Sequence, residues 1–458
     1  IDPFVPAYGE TIETNARTIQ RDFADPMWVL SAYGANCIAS NTPIPTWGDL
    51  PAKVPGMGIG PSLIINSEEK TKLLEAVFKQ LSFQDLHHLL QGTDITSLHR
   101  ELGGHGLLGI AARVGRKDVV DWLQSSIGRS GDAIMPSLDR DGMGYTLMDY
   151  AVLGGHTELA TDVWNASDAT RREAYLTASA ASTTVPSLMG LAGESGRAAM
   201  VHCVAAIAGN YTVPMITARD RDGNTPLLHA AMSGNPEAVQ AMIAQCEANH
   251  VGVSSILNHA NSAGQTALIL AIAHGKSAGC VRVLLTNGAD PNTMVASSGL
   301  SALEIVLMDG HLDILQALLE HPDIDISDRA LTTVYDRDCT VALYNKALER
   351  EPELLSRELS NGQRLAHWLA EKNAMALRDL ITGKAAEFVQ GILSIRNTNG
   401  NSVAHGLAEH NGAAFREIVA DKEDGFVLEI FSIPGKYGIS VAEGLALHNG
   451  AALRDILT

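Results

Sequence analysis

The sequence predicts an all-α solenoid of stacked helical hairpins, on three observations. Pairs of glycines recur 11 residues apart through the first two thirds of the chain (Gly104/Gly115, Gly144/Gly155, Gly223/Gly234, Gly264/Gly275, Gly299/Gly310). Three later glycines, Gly362, Gly400 and Gly438, are spaced by 38 residues each time. The apolar content is aliphatic: hydrophobic residues make up 46% of the chain but aromatics only 5%, which suits short helices packed through Leu, Ala, Val and Ile. At 458 residues the chain exceeds one compact domain, so a repeat array or several domains is expected.

Residues 1–66 show no repeat. They carry Pro43, Pro45, Pro51, Pro55 and Pro61 with Gly56, Gly58 and Gly60, and read as an irregular N-terminal extension with short helices over 15–23 and 27–33. Residues 67–100 read as a helical cap: Ser67-Glu68-Glu69 gives one helix an acidic first turn, and Ser82 with Asp85 resembles a capping box for a second. Residues 101–325 form the main array. Gly104 and Gly115 bracket Ala111-Ala112, Gly144 and Gly155 bracket Thr146 and Ala151, and a weaker copy runs from Val185 through Ala192 to Gly196. The central copies are Asp222-Gly223-Asn224-Thr225-Pro226-Leu227-Leu228-His229-Ala230-Ala231, then Gly264-Gln265-Thr266-Ala267-Leu268, then Gly299-Leu300-Ser301-Ala302-Leu303.

Each feature has a physical cause. Thr225 is placed to cap a helix start, and Pro226 suits the first turn, where its missing N–H costs nothing. Gly234 can end that helix in a left-handed conformation that a side chain resists. Ile314, Leu315, Leu318 and Leu319 share one face of a helix and bury against a neighbour, so no unit is stable alone. Residues 326–458 continue as divergent 38-residue repeats headed by Leu365-Ala366-His367, Val403-Ala404-His405 and Val441-Ala442-Glu443, with a degenerate unit over roughly 326–350.

The Thr225-Pro226-Leu227-Leu228-His229 segment with its flanking glycines resembles the signature of the ankyrin-repeat family. The resemblance covers about 100–320 well, and 320–458 as a divergent relative. It implies an ankyrin-repeat helical solenoid whose helical pairs are joined by β-hairpin tips, and a non-enzymatic role in which tips and first-helix surfaces bind other proteins. The side chains the register leaves free are Arg113, Tyr150, Met232, His274, Met308 and Asp309 on first helices, with Arg219, Arg221, Asn224, Asn261 and Gln265 on tips. Tyr150, Met232, Met308 and Arg221 are the expected anchors, because aromatic, Met and Arg side chains dominate interface energetics. Divergent repeats behind an N-terminal extension are also similar to ankyrin effectors that bacteria deliver into host cells.

The formal charge of −19, from 52 acidic and 33 basic residues, favours a protein partner with a basic face and disfavours nucleic acid and anionic membrane. No apolar run in the sequence approaches the length of a membrane span; the stretch from Thr266 to Ala273 ends at His274-Gly275. Five scattered cysteines (Cys37, Cys203, Cys246, Cys280, Cys339) without a C-x-x-C pair read as free thiols of a reducing compartment, the cytoplasm. No signal-peptide pattern opens the sequence, and Ile1-Asp2-Pro3-Phe4 resembles a vector-derived scar.

The candidates for chemistry fit the repeat better than a reaction, and no cofactor or metal is expected. His229, His367 and His405 fall in the Thr-Pro-Leu-His slot, His156 and His311 follow the second glycine, and no H-E-x-x-H occurs. Asp139-Arg140-Asp141-Gly142 and Asp220-Arg221-Asp222-Gly223 resemble the opening of a calcium loop but lack its later ligands. Gly56-Met57-Gly58-Ile59-Gly60 lacks the Lys-Ser/Thr of a phosphate loop. A cysteine-dependent effector enzyme, with Cys37 as nucleophile and a His such as His105, is the alternative to a scaffold. Asn292, beside Asp290 and downstream of Leu284, has the spacing at which similar ankyrin repeats are hydroxylated, although Pro291 departs from the usual aliphatic residue; a turn-forming Asn is the plainer reading.

Overall fold

A computed structural model describes Glu75, Phe78, Lys79 and residues 82–89, 106–127, 138, 140–141, 144–275, 277–333, 336–359 and 363–458. The extension expected over 1–66 lies outside these residues. The chain divides into two compact units, Ile1–Ile256 and Leu257–Thr458. Both are all-α, and no strand is present among the described residues.

In the first unit the helices come in antiparallel pairs: Gly106–Val114 with Lys117–Ile127, Leu147–Leu153 with Thr157–Ala166, Leu188–Glu194 with Ala198–Ala208, and Pro226–Met232 with Pro236–Ala248. Side chains fix the starts. Thr146 and Asp149 form a reciprocal capping box, and Ser187 accepts from the Gly190 N–H at 3.2 Å. Thr225 takes the extended N-cap conformation with Pro226 behind it, but its hydroxyl is buried without a hydrogen-bond partner, so the conformation and the proline start this helix rather than the expected cap bond. Gly234 has φ 74°, as the register predicts. First helices approach closely: a Cβ at Gly193 would lie 2.6 Å from the Pro226 carbonyl oxygen, and one at Gly109 2.6 Å from the Tyr150 ring. Ahead of the first pair, Phe83–Leu89 buries Leu86, and Phe83 and His87 set their rings against Trp122.

Ala198–Thr217 forms one helical run of 20 residues in which an 18-residue window has mean hydropathy 1.4, long and apolar enough by length and composition to cross a membrane. That corrects the expectation that no apolar run reaches such a length. The run was hidden by Gly209, Asn210 and Pro214; Gly209 takes φ 52° at the end of Ala198–Ala208, and a 3₁₀ turn at Gly209–Tyr211 leads into Thr212–Thr217. Met200, Val201, Val204, Met215 and Ile216 are buried inside the unit.

In the second unit, Ala302–Asp309 packs with Leu312–Leu319 and ends at Gly310 in the left-handed region. The helix Ala267–Leu270 continues into a π-type turn, Ala271–Gly275, before Ala278–Thr286. The degenerate stretch holds Asp328–Thr333 and Arg337–Arg350, with Tyr344 fully buried and its hydroxyl donating to the Leu331 carbonyl at 3.0 Å.

Beyond it the repeat changes character. A third helix joins each pair: Leu365–Lys372 and Ala374–Ile381 are followed by Ala386–Ser394, and Val403–His410 and Gly412–Val419 by Asp424–Phe431. The glycine between first and second helix is replaced by Asn373, Asn411 and Asn449. These lie at negative φ, and Asn373 and Asn411 cap the next helix through the Ala376 and Ala414 N–H groups. An Arg–carboxylate series ties consecutive second helices together: Arg337 to Asp379 at 2.5 Å, Arg378 to Glu417, and Arg416 to Asp455 at 2.8 Å. The tips are tight turns. Isolated antiparallel bridges, Glu358 with Arg364, Arg396 with Ser402 and Pro434 with Ser440, take the place of the β-hairpins.

Candidate protein-interaction surface

The tip at Asp220–Asn224 shows how the sequence builds this surface. The Asp220 carboxylate accepts from the Asp222 and Asn224 backbone N–H groups at 3.0 and 2.8 Å, so Arg221 and Asp222 ride outward on a turn braced from within. Asp220 also meets His229 Nε2 at 2.9 Å. Burial pushes the Asp220 carboxyl up, and the bonds from His229 and Asn224 outweigh it, holding the group below its ordinary value. The calcium-like Asp-Arg-Asp-Gly motif is therefore a self-satisfied turn.

Three further histidines, His156, His367 and His405, are structural as well. His156 Nε2 reaches the Arg113 carbonyl at 3.1 Å, His367 the Asn401 carbonyl at 3.0 Å, and His405 the Ile439 carbonyl at 3.1 Å. Each links neighbouring helical pairs. Burial pushes all three imidazoles below their ordinary pKa, which keeps them neutral. Among the described residues, no three His, Cys, Asp or Glu side chains cluster closely enough to hold a metal ion.

The expected contact residues separate into three groups. Arg219, Arg221, His274, Met308 (62% exposed) and Asp309 are exposed; Arg113 is exposed and pairs with Glu75 at 3.3 Å; Met232 is half-buried. Asn224, Asn261 and Gln265 are half-buried and spend their polar groups within their own tips. Asn224 donates to Asp220 at 3.2 Å, and Asn261 accepts from the Gln265 N–H at 2.9 Å and donates to its side-chain oxygen at 3.2 Å. Tyr150 needs correction as an anchor. It is 3% exposed, packs on Gly109 and donates its hydroxyl to Asp141 at 2.6 Å, so the fold uses it and a partner cannot reach it. The first-helix register gave no sign of this, because Asp141 lies on the preceding tip.

Asn292 is exposed, yet its amide spans two tips, donating to the Asp323 carbonyl at 2.9 Å and accepting from the Asp325 N–H at 2.8 Å. Its own turn is braced by Asp290, whose carboxylate accepts from the Asn292 N–H at 2.9 Å. Cys37 and His105 lie outside the described residues. Cys246, Cys280 and Cys339 are buried, and Cys203 is half-buried. Sequence reasoning passed over Met294, 57% exposed, and the charged residues Asp325 on the next tip and Arg329 in the helix that follows it. The signal available was a Met on a tip whose other positions are small or polar.

Residues 191–330 match the family model described as ankyrin repeats (3 copies), in overlapping segments 191–295 and 253–330. No curated protein matches the sequence. Among solved structures, the ankyrin repeat domain of Bcl-3, a member of the IκB protein family, is 20% identical, with a TM-score of 0.35; the match covers 53% of this chain and 99% of that one. An ankyrin repeat domain from Acinetobacter baumannii AYE is 23% identical, with a TM-score of 0.32, covering 47% of this chain and 96% of that one.

Proposed function

We propose, from the premise that this chain carries ankyrin repeats over residues 191–330, that it is a non-enzymatic scaffold whose tips and first helices bind protein partners. Ankyrin repeats are a protein–protein interaction module, and the observation that carries the reading here is the division of labour at the tips. Asp220 and Asn261 hold the turns from inside, while Arg219 and Arg221 stand free of that bracing. A backbone fixed by its own side chains presents its exposed ones with little entropy left to lose on binding.

The charge of −19 supports a partner with a basic face over nucleic acid or anionic membrane. We attach a cytoplasmic setting, and delivery into a host cell as a bacterial effector, on the strength of the scattered free cysteines and the sequence resemblance. Partner capture by the full chain tests the scaffold reading, compared quantitatively with a chain carrying Arg219→Ala, Arg221→Ala and Met308→Ala. Selective loss of captured proteins supports it. An unchanged set at unchanged abundance sinks it.

A further inference from the structure

The second unit holds a notch of about 250 Å³ between two successive tips, walled by Pro291, Met294, Leu303, Glu304, Asp325 and Arg329. By liquid volume that is room for roughly eight waters, enough for one long side chain and too little for a folded element. Its walls are fixed. Asn292 ties the two tips together, and Glu304 closes a capping box with Ser301, accepting from the Ser301 N–H at 3.0 Å while its own N–H donates to the Ser301 hydroxyl at 3.2 Å.

The charges in the notch do not balance. Arg329 lies 3.5 Å from Glu304 and donates to the Gly299 carbonyl at 3.2 Å, so the base already has an acid and an acceptor. The Asp325 carboxylate has no side-chain partner among the described residues. Exposed Met294 and buried Leu303 therefore line the same notch as a carboxylate without a side-chain partner among the described residues.

We propose that this notch is a subsite for a basic side chain, arginine or lysine, from an extended segment of a protein partner. The methylene stem lies on Met294 and Leu303, and the cationic head reaches Asp325. Long cationic side chains divide their contacts in this way, and an acidic partner side chain would meet Asp325 with Arg329 already engaged. The inference rests on the scaffold reading and gives it a partner chemistry at one position.

The test uses the full chain with isotope-labelled methionine methyl groups, the Met294 signal being identified by its absence in Met294→Leu. N-acetyl-arginine amide is titrated at low salt against N-acetyl-citrulline amide, which has the same shape without the charge. The arginine probe should move the Met294 methyl and leave Met308 unmoved, with half-saturation at about a threefold lower concentration than citrulline, the scale of one solvent-reachable ion pair. Asp325→Asn should erase that difference. The variant keeps the backbone N–H bond to Asn292, and the other methionine signals report its fold.

Equal response to the two probes, discrimination surviving in Asp325→Asn, or a silent Met294 up to the solubility of the probes overturns the proposal. A failure here with tip-dependent partner capture intact removes the notch alone. Capture indifferent to the tips removes the scaffold reading instead.

Discussion

Replacing Tyr175 by Phe deletes one hydroxyl from the first unit and changes little else in shape. That hydroxyl donates at 2.5 Å to Asp149, whose second oxygen accepts from the Thr146 N–H at 2.8 Å and the Thr146 hydroxyl at 2.9 Å. Asp149, Thr146 and Tyr175 are all buried. Burial pushes the Asp149 carboxyl up, and the bonds from Tyr175 and Thr146 pull it partly back.

Tyr175→Phe removes one of these charge-stabilising donors, so at a pH above the folded-state pKa of Asp149 it should cost about 1.5–3 kcal/mol of local stability, the value of a hydrogen bond to a charged group. Hydrogen exchange over residues 146–176 should then speed up by about tenfold to a hundredfold. The sign with pH follows from the direction of the shift. A folded-state pKa above the unfolded one contributes stability in acid, lost as pH rises through the folded pKa. The variant raises that pKa further, so its deficit is largest where the wild-type carboxyl is ionised and shrinks as pH falls. Exchange indistinguishable from wild type at every pH, or a deficit that grows toward acid after correction for intrinsic exchange, would refute the reasoning.

Gly193→Ala should destabilise the first unit by about 1–2 kcal/mol, since overpacking against the Pro226 carbonyl exceeds the gain in helix propensity; a raised unfolding temperature would contradict the close approach of these helices. In a Cys37→Ser chain, a disulfide reagent at pH 8 should label Cys203 well ahead of the other thiols. Burial pushes the Cys246 thiol up to about 11 and, with the Asp336 contact, Cys339 to about 12, while Cys280 is fully buried. Labelling of these three at the rate of Cys203 would show the unit cores to be open.

The parts of this fold legible in the sequence are those that only one residue type can satisfy. Gly234 and Gly310 sit at positive φ because a side chain is strained there, and glycines spaced by 11 therefore mark where first helices end. The 38-residue period was equally plain, but its content was not. Phe388-Val389 and Phe426-Val427 matched as sequence without declaring the third helices, because short amphipathic runs fit a connection or a helix.

The surface was read less well, for one reason. A register assigns a residue to a face, and what that residue touches is decided by the folding of the tips, its own or a neighbour's. Tyr150 went inward to Asp141, Asn224 and Asn261 turned back on their own turns, and the notch at Met294 exists because Asn292 pins the following tip beside it.

The Arg–carboxylate series of the later repeats, together with the recurring Asn at each helical junction, makes chain length there a stepwise quantity. Excising 373–410 would bring Lys372 to Asn411, letting Asn411 inherit the cap of Asn373 and Glu417 the place of Asp379 opposite Arg337. A deletion that is not a multiple of 38 residues would leave a guanidinium facing the wrong neighbour and a helix start without its amide. Lineages carrying this architecture should accordingly differ by whole modules and seldom by fractions of one, because only the full step preserves every nearest-neighbour contact.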